Sequence, residues 1–371
     1  MIIGFLSHLD LNLTLFRLPV MKELVRLGHT VYAICPQGKH SHEFSFHGIN
    51  HISYKINRAS LNPLSELAAM YAIYTALKPL NLDLLHTFTA KPNIYGTIAG
   101  KLAHIPRIIN LVEGLGSFYL ENDLKSRIIR RVIELMYRQI FKLSEKIMFV
   151  NKDDSAYLMK HKIIPLDKII TLKGVGIDTQ EWSPVIRTNT TDKIVITMIA
   201  RALKHKGLFE YIEAANFLTP LYPNIEFRYI GSPDPGNRFS VTDEFMQEQP
   251  NIVYLGQRND IKYQLSQTDI FVLPSYREGL PRTSMEAMSM SIPIVTTNAV
   301  GCRETVDDTV NGFIVPIKDS KLLSAAIEKL IVDKELRMRM GKAGRIKAIN
   351  EFDSDKIISD HFAAYGLSRV P

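Results

Sequence analysis

Two cations follow an apolar run in the second half of the chain, within the sequence IARALKHKG. Arg201 and Lys206 are five positions apart, and Gly207 follows them before a helical pattern begins. Arginine offers a planar fork of donors and lysine a mobile point charge, a combination suited to binding a diphosphate. The alternative interpretation is a pair of solvated loop cations, and this motif alone does not decide between the two.

Two carboxylates occur further on, within LPSYREGLPRTSMEAM. Glu278 and Glu286 are separated by seven residues. Gly279 lets the backbone approach a ligand, and Pro281 suits a first helical turn, so the N–H groups near Leu280 can point at a phosphate. The carboxylates can accept hydrogen bonds from a sugar and a ribose; the alternative is a loop glutamate plus a buried glutamate that holds the loop. Together the two motifs predict a nucleotide-diphosphate site.

These motifs lie among short apolar runs that alternate with helical patterns. Uniformly apolar strands separated by helices predict parallel sheets covered on both faces. The rhythm restarts near residue 194, so we predict an α/β fold with two doubly wound, Rossmann-like domains, whose ligands bind at the carboxyl ends of strands. The predicted strands are 1–6, 30–35, 50–54, 82–86, 107–112, 146–150, 194–200, 226–230, 252–255, 270–273 and 292–296, and the predicted helices include 16–27 and 64–78.

A glycine-containing and then polar segment, GVGIDTQEWSPVIRTNTTDK at residues 174–193, is the predicted domain boundary. We place the first domain at 1–178, the second at 179–352 and a C-terminal helical segment at 353–371. One domain with a long insertion is the alternative. The longest nearly uncharged stretch, 67–77, is shorter than the roughly 18 apolar residues that a membrane-spanning helix needs.

The chain is rich enough in apolar residues, at 46%, to build sizeable cores, which argues against a disordered, collagen-like or disulfide-stapled protein. Its two cysteines are far apart and fit a reducing compartment. The net charge of +7 is unevenly distributed: residues 1–185 hold 22 basic and 15 acidic residues, and residues 186–371 hold 23 of each. This asymmetry predicts an anionic partner for the first half, namely a nucleic acid, a membrane surface or a phosphorylated substrate.

Much of the basic excess lies in the segment 124–146. At 100° per residue, Arg127, Arg131, Arg138 and Lys142 fall within about 60° of one another on a helix. The opposite arc, which we predict to face the core, consists of Ile129, Val132, Ile133, Met136, Ile140 and Leu143. We predict that the cationic stripe docks on an anionic membrane surface. A solvated charged face is the alternative.

Arg-x4-Lys followed by Glu-x7-Glu, with LGQRND between them, resembles the retaining glycosyltransferases of the GT-B fold, family-4 type. The resemblance runs along nearly the whole chain: GVGIDTQEWSP is similar to the interdomain hinge of that family, and VGCRETV with NGFIV to its late loop and strand. It implies two domains facing across a cleft, a C-terminal helix that crosses back to the first domain, and a metal-independent enzyme with no cofactor besides its donor substrate.

The resemblance also implies roles for the motif residues. Arg201 and Lys206 would contact the donor diphosphate, Glu278 the hydroxyls of the transferred sugar, and Glu286 the ribose. The backbone from Gly256 to Arg258 would meet the base.

In the first half, FLSH, FRLP, NRASLNP, HTFTAKPNIYG and LVEGLGSFY resemble enzymes of bacterial N-linked protein glycosylation that extend sugars on undecaprenyl diphosphate. This implies transfer of an N-acetylhexosamine (GalNAc, α1,3-linked) from UDP-GalNAc to undecaprenyl-diphosphate-linked diacetylbacillosamine, at the cytoplasmic face of the bacterial inner membrane. The alternatives are a lipopolysaccharide or capsule glycosyltransferase of the same family, or a UDP-sugar epimerase. Nucleic acid is not an expected partner, since the basic residues are not interleaved with aromatic ones.

The chain departs from the family at two places. The loop SHLDLNLT lacks the glycine pair that many members have after the first strand, and Glu113 stands where many have a histidine. Glu113 either orients substrate hydroxyls or caps a turn. His8 either lines the cleft or is solvated, and Lys91 either contacts the acceptor diphosphate or is a surface lysine at a helix start. Arg17 is assigned to the acceptor or membrane side.

Overall fold

The chain folds into two compact units in a computed structural model that describes residues 1–57, 60, 62–185 and 193–369. The first unit comprises Met1–Val175 with Ser354–Pro371, and the second comprises Gly176–Asp353. The limits predicted from the sequence, 178 and 353, differ from these by three residues and by one. Part of the predicted boundary, 186–192, and three residues of NRASLNP (Arg58, Ala59 and Leu61) lie outside the described residues.

A parallel sheet forms the centre of the first unit. Its strands are β1 (Ile2–Leu6), β2 (Thr30–Ile34), β3 (Asn50–Ile52), β4 (Leu84–Phe88), β5 (Arg107–Val112), β6 (Lys146–Phe149) and β7 (Ile169–Thr171). They pair in the order β3-β2-β1-β4-β5-β6-β7. All residues of β4 and nearly all of β5 are buried, because helices cover both faces of a parallel sheet.

Helices connect these strands. They are α1 (Asp10–Phe16), α2 (Leu18–Arg26), α3 (Glu43–Phe46), α4 (Pro63–Leu77), α5 (Ala90–Leu102), α6 (Leu124–Leu143) and α7 (Lys152–Lys160). Helix α5 packs against both α4 and α6. Apolar side chains from β5, β6, α5, α6 and α7 form one core cluster, and those from β1, β2, β4, α4 and α5 form another.

The second unit repeats this plan. Its strands are β8 (Ile194–Ile199), β9 (Ile225–Ile230), β10 (Val253–Tyr254), β11 (Ile270–Leu273), β12 (Ile294–Thr297) and β13 (Gly312–Val315), paired in parallel in the order β10-β9-β8-β11-β12-β13. Its helices are α8 (Leu208–Leu218), α9 (Asp243–Gln247), α10 (Ile261–Ser266), α11 (Arg282–Ser289), α12 (Ser320–Val332) and α13 (Lys334–Lys347). The α/β fold class predicted from the alternating pattern is therefore confirmed.

The last helix, α14 (Ser354–Tyr365), belongs to the first unit, where it packs against α2. The Tyr365 hydroxyl and His86 Nδ1 are 2.6 Å apart, and His361 Nδ1 lies 2.8 Å from the carbonyl oxygen of Ile357. Both histidines are fully buried. Helix α14 thus contributes buried side chains to the core of the first unit, next to strand β4.

The prediction of one helix over 16–27 is wrong. The structure has two helices, which are separated at Arg17 by a residue outside helical geometry, with φ −121° and ψ −16°. Pro19 lies in the first turn of α2, where its missing N–H and fixed φ are tolerated; further inside a helix it would break a hydrogen bond. The proline therefore fixes where the second helix starts.

The carboxyl ends of adjacent strands bring the predicted residues close together within each unit. In the first unit His8, Lys91 and Glu113 follow β1, β4 and β5, which are neighbours in the sheet. In the second unit Arg201 and Glu278 follow the adjacent strands β8 and β11. Of the helices within the described ranges, none has the length and apolarity to cross a membrane.

Buried histidines predict how the stability of the fold depends on pH. Burial, with a contribution from Arg17, lowers the pKa of His361 to about 3, and it lowers the pKa of His86 well below its usual range. Unfolded histidine takes up a proton near pH 6.5, whereas these folded side chains do not. The unfolded state therefore binds more protons as the pH falls below about 6.5, so stability decreases in that direction.

We expect the free energy of unfolding to decrease between about pH 6.5 and pH 5, by roughly 1.4 kcal/mol per pH unit for each such histidine. His361→Asn should make this slope shallower, and replacing the exposed His42 by Asn should leave it unchanged. Urea denaturation of the three proteins across this range measures the slopes, and equal slopes for the wild type and H361N would contradict the prediction.

Candidate active site

An ion pair connects the two motifs of the second unit. Lys206 Nζ lies 2.6 Å from Oε1 and 2.7 Å from Oε2 of Glu278. The buried Ser275 donates its hydroxyl to Oε1 at 2.6 Å. Gly207 is required beside this pair, because a Cβ in its place would lie 2.1 Å from the carbonyl oxygen of Pro274. The pair is mostly buried. Lys206 follows β8 and Glu278 follows β11, so the ends of two adjacent strands hold its geometry.

Arg201 has a partner that sequence reasoning missed. Its Nη1 lies 2.5 Å from Oδ2 of Asp234, in the loop after β9, while about half of the Arg201 side chain stays exposed. The same loop pairs with the backbone around Arg201, since the Ala202 N–H donates to the carbonyl oxygen of Ser232. The sequence signal that could have identified Asp234 is its position shortly after β9, the strand that pairs with β8.

The first turn of α11 presents backbone donors at the same edge. Pro281 is the N-cap residue, and no side chain of the described residues caps this helix end. The hydroxyl of Ser284 is buried and has no hydrogen-bond partner among the described residues. Free N–H groups at a helix N-terminus attract anions. Gly279 and Leu280 lead into this turn, as the sequence predicts.

Glu286 lies inside the unit. Its Oε1 accepts a hydrogen bond of 2.7 Å from Nε of Arg282, one turn earlier on α11. Burial raises the pKa of Glu286, and the neighbouring Arg282 opposes this rise. The interpretation of Glu286 as a buried glutamate that holds the loop fits this contact, and the ribose contact stays a prediction.

The residues predicted to meet the base occupy a turn after β10. Gly256 has a φ of +63°, and its carbonyl oxygen accepts the N–H of Gly231 at 2.9 Å. Arg258 forms a bidentate pair with Asp260, both bonds measuring 2.8 Å. The Arg258 side chain is thus held in a fixed orientation at the surface, and its contact with a base stays a prediction.

His205, between the two predicted cations, is a further residue that sequence reasoning missed. Burial, and next the charge of Lys206, lower the pKa of His205 to about 4. Its ring meets Phe239 edge-on, with 5.5 Å between the ring centroids. A neutral imidazole therefore fills the space beneath the loop without adding a third positive charge.

In the first unit, Glu113 is held by two side chains from α1 and its end. Arg17 Nη2 lies 2.5 Å from Oε1 of Glu113, and Asn12 Nδ2 lies 3.1 Å and 3.0 Å from its two oxygens. Arg17 is completely buried, whereas 22% of the Glu113 side chain is exposed. The assignment of Arg17 to a membrane surface is therefore wrong, because its guanidinium is inside the protein.

His8 and Thr89 meet at the same edge. Nδ1 of His8 lies 2.7 Å from the hydroxyl oxygen of Thr89. Thr89 has φ +71° and ψ 165°, a conformation that costs free energy for a residue with a branched side chain. His8 is therefore fixed to the start of α5 and is not a freely solvated histidine.

Lys91 points to a neighbouring segment. Its Nζ donates to the carbonyl oxygens of Asn57 and Ser60, at 2.9 Å and 2.7 Å, and to Oε1 of Glu66 at 2.7 Å. An ammonium group has three donors, and these contacts use all of them. Lys91 lies at the start of α5, as the alternative interpretation has it, but it is partly buried and bonded to specific partners. The contact with an acceptor diphosphate stays a prediction.

Helix α6 is rotated relative to the prediction. Arg127, Arg131 and Lys142 are exposed as expected, and Arg138 is half-buried with its Nη2 donating to the carbonyl oxygen of His161. Val132 and Leu143, expected in the core, are 50% and 46% exposed. Ile140 is buried as predicted, and Ile129, Ile133 and Met136 are half-buried. The other buried positions of the helix, Ser126, Glu134, Tyr137 and Phe141, were not predicted.

The buried polar groups of α6 explain this rotation. Glu134 accepts a hydrogen bond of 2.8 Å from the hydroxyl of Tyr157 on α7, and Ser126 is bonded to the N-cap residue Asp123. A polar side chain can be buried where it has such a partner. The exposed side therefore carries an apolar strip (Leu124, Ile128, Val132, Leu135 and Leu143) beside the cationic stripe.

The arrangement in the second unit is suited to binding a diphosphate. Arg201 and Lys206 supply positive charge, and the first turn of α11 supplies N–H donors. In this structure each cation is paired with a carboxylate, Arg201 with Asp234 and Lys206 with Glu278. Diphosphate oxygens can form the same charge-assisted hydrogen bonds. Within the described ranges, no group of three or more His, Cys, Asp or Glu side chains is placed to hold a metal ion.

Comparison with known proteins extends these observations. An N,N'-diacetylbacillosaminyl-diphospho-undecaprenol alpha-1,3-N-acetylgalactosaminyltransferase of Campylobacter jejuni is 34% identical, with 98% of each chain covered. A UDP-Gal:alpha-D-GlcNAc-diphosphoundecaprenol alpha-1,3-galactosyltransferase of Escherichia coli is 27% identical over 79% of this chain and 78% of its own. The crystal structure of Anabaena HepE with UDP and glucose superimposes with a TM-score of 0.78 at 17% identity, covering 99% of both chains, and shows the shared fold.

Two protein families match successive parts of the chain. The family described as Glycosyl transferase 4-like matches residues 3–151, and the family described as Glycosyl transferases group 1 matches residues 178–347. These ranges fall in the first and the second unit, respectively. The family expected from Arg-x4-Lys and Glu-x7-Glu is thereby confirmed: the chain belongs to the family-4-type glycosyltransferases of the GT-B fold.

Proposed function

We propose that this enzyme transfers GalNAc, with retention of configuration and in an α1,3 linkage, from UDP-GalNAc to undecaprenyl-diphosphate-linked diacetylbacillosamine. The observation that carries the donor half is the cluster of Lys206, Glu278, Arg201 and the first turn of α11 at adjacent strand ends. The acceptor and the linkage are supported by the relative from Campylobacter jejuni, which covers 98% of each chain.

The donor half of the reaction needs positive charge where the leaving diphosphate forms. As the bond between the sugar and UDP breaks, negative charge builds on the diphosphate, and preformed donors stabilise it without reorganisation. Lys206 and Arg201 supply that charge when the diphosphate takes the place of their carboxylate partners. When Lys206 binds the diphosphate, Glu278 keeps its hydrogen bond from Ser275. Its carboxylate then accepts hydrogen bonds from hydroxyls of the sugar.

The resemblance to this family implies a front-face mechanism. The acceptor hydroxyl attacks on the side from which the diphosphate departs, and a donor phosphate oxygen takes its proton. In the first unit Glu113, with one side exposed, is the candidate for orienting a sugar hydroxyl. Lys91 would reach an acceptor diphosphate by giving up its hydrogen bonds to the carbonyl oxygens of Asn57 and Ser60.

We infer that the enzyme docks on the anionic, cytoplasmic leaflet of the inner membrane through α6. The cationic stripe lies beside the exposed apolar strip of the same helix, so charge and apolar surface face solvent together. Helix α4, which packs against α5 as α6 does, adds exposed Leu64, Leu67 and Tyr71. Basic residues near an anionic leaflet contribute about 1 kcal/mol each, and exposed apolar side chains insert into its boundary.

A second candidate differs in the sugars. The alternative is a capsule or lipopolysaccharide glycosyltransferase of the same family. The relative from Escherichia coli acts on GlcNAc-diphosphoundecaprenol with UDP-Gal, so transfer of galactose to a GlcNAc lipid is the reaction to test for it. Both candidates use the same chemistry on the same class of lipid.

A substrate panel tests the proposed function. Purified enzyme is incubated with one of four donors: UDP-GalNAc, UDP-GlcNAc, UDP-Gal or UDP-glucose. Each donor is combined with undecaprenyl diphosphate that carries either diacetylbacillosamine or GlcNAc. Mass spectrometry then measures the masses of the lipid products. We expect one added N-acetylhexosamine with UDP-GalNAc and the diacetylbacillosamine lipid. Transfer of galactose to the GlcNAc lipid would establish the alternative, and conversion of UDP-sugar without any acceptor would identify an epimerase.

Lys206→Ala tests the diphosphate assignment. Loss of one preorganised donor should lower kcat about 10²- to 10³-fold. Lys204→Ala is the matched control, because Lys204 is an exposed lysine of the same loop. Melting curves of both variants establish that they fold. Wild-type turnover in folded K206A would refute the assignment.

Charge reversal tests the membrane surface. Arg127→Glu with Arg131→Glu should reduce flotation with anionic phosphatidylglycerol vesicles by at least roughly tenfold, given about 1 kcal/mol per basic residue. Arg339→Glu with Lys342→Glu makes the same change of charge on the exposed side of α13 in the second unit and should have little effect. Equal flotation of the two double variants would contradict the docking of α6.

A further inference from the structure

A completely buried cation, the guanidinium of Arg17, is paired with the Glu113 carboxylate. Arg17 has no exposed surface, and its shortest hydrogen bond is the 2.5 Å contact of Nη2 with Oε1 of Glu113. Its Nη1 reaches only the carbonyl oxygen of Phe16 at 3.4 Å, and Nε is buried without a partner among the described residues. A buried guanidinium is costly unless it is paired, so the stability of this arrangement depends on Glu113.

Aromatic groups surround the other side of Arg17. Its guanidinium carbon lies 4.7 Å from the ring centroid of Phe88, and the His86 ring is 4.3 Å from that of Phe88. His86 in turn meets the hydroxyl of Tyr365 on α14. These rings leave Arg17 little room to move, so its guanidinium stays directed at Glu113.

The hydrogen bonds to the Glu113 carboxylate leave one acceptor position open. A carboxylate has about four lone-pair sites. Within the described part of the chain, Oε1 receives Arg17 and Asn12, and Oε2 receives Asn12. The partly exposed Glu113 side chain therefore offers one lone pair on Oε2 to a ligand.

We propose that Arg17 and Asn12 are positioning residues that hold the Glu113 carboxylate so that Oε2 accepts one hydrogen bond from a substrate hydroxyl or amide N–H. This inference rests on the proposed function, in which Glu113 faces a sugar. It assigns Arg17 no contact with substrate: the residue acts through Glu113 alone.

A double-mutant cycle tests this inference. Arg17→Met should lower kcat roughly 30- to 100-fold, because small displacements of a positioned group have effects of that order. In the Glu113→Gln background the same change should lower kcat less than about threefold, since residues that act as a unit are not additive. Arg17→Lys keeps the positive charge but loses the planar guanidinium with its several N–H donors, and it should retain more activity than R17M. Arg26→Met, at the exposed arginine of α2, is the matched control and should keep wild-type activity.

Folding is controlled independently. UDP binding, measured by titration calorimetry, should be unchanged in R17M, because the predicted UDP contacts lie in the second unit. If R17M does not fold, Asn12→Ala completes the cycle with E113Q, with a smaller loss expected in the wild-type background and the same non-additivity. An equal loss in both backgrounds, or full activity of R17M, would overturn the inference. A wild-type enzyme inactive on the whole substrate panel would overturn the proposed function instead.

Discussion

Parallel pairing of the strands is the constraint on which the rest of this structure depends. In each sheet every strand runs in the same direction, so the loops that follow the strands all emerge at one edge. Residues separated by 70 or more positions in the chain, such as Lys206 and Glu278 or Asn12 and Glu113, are thereby brought into contact. Helices cover both faces of these sheets and exclude water from them.

In each unit a cation that is largely or completely buried holds a carboxylate at that edge. Lys206 holds Glu278 in the second unit, and Arg17 holds Glu113 in the first. Such pairs contribute little net stability, since the loss of solvation offsets the attraction between the charges. What they provide is fixed geometry, which a sugar-binding carboxylate needs because hydroxyl recognition depends on direction.

Residue patterns located most of the strands, but not β7 or β13, which end the two sheets. They also located the cationic side of α6, but they misjudged the side of that helix that is buried. Apolar periodicity counts Glu134 as a surface residue, yet Tyr157 on another helix gives it a hydrogen-bond partner in the interior. Val132 moves to the surface as a consequence. Partners of this kind come from distant positions, so spacing along one helix does not reveal them.

The sequence by itself determined the α/β class and the family with its Arg-x4-Lys and Glu-x7-Glu motifs, because alternating apolar runs and local motifs are properties of short segments. Only the tertiary structure decided the partners of each charge. Asp234 beside Arg201, and Arg17 buried beneath Glu113, lie far from those residues in the chain. Their contacts exist because the strand order brings separate loops to the same edge, and that order is a property of the whole sheet.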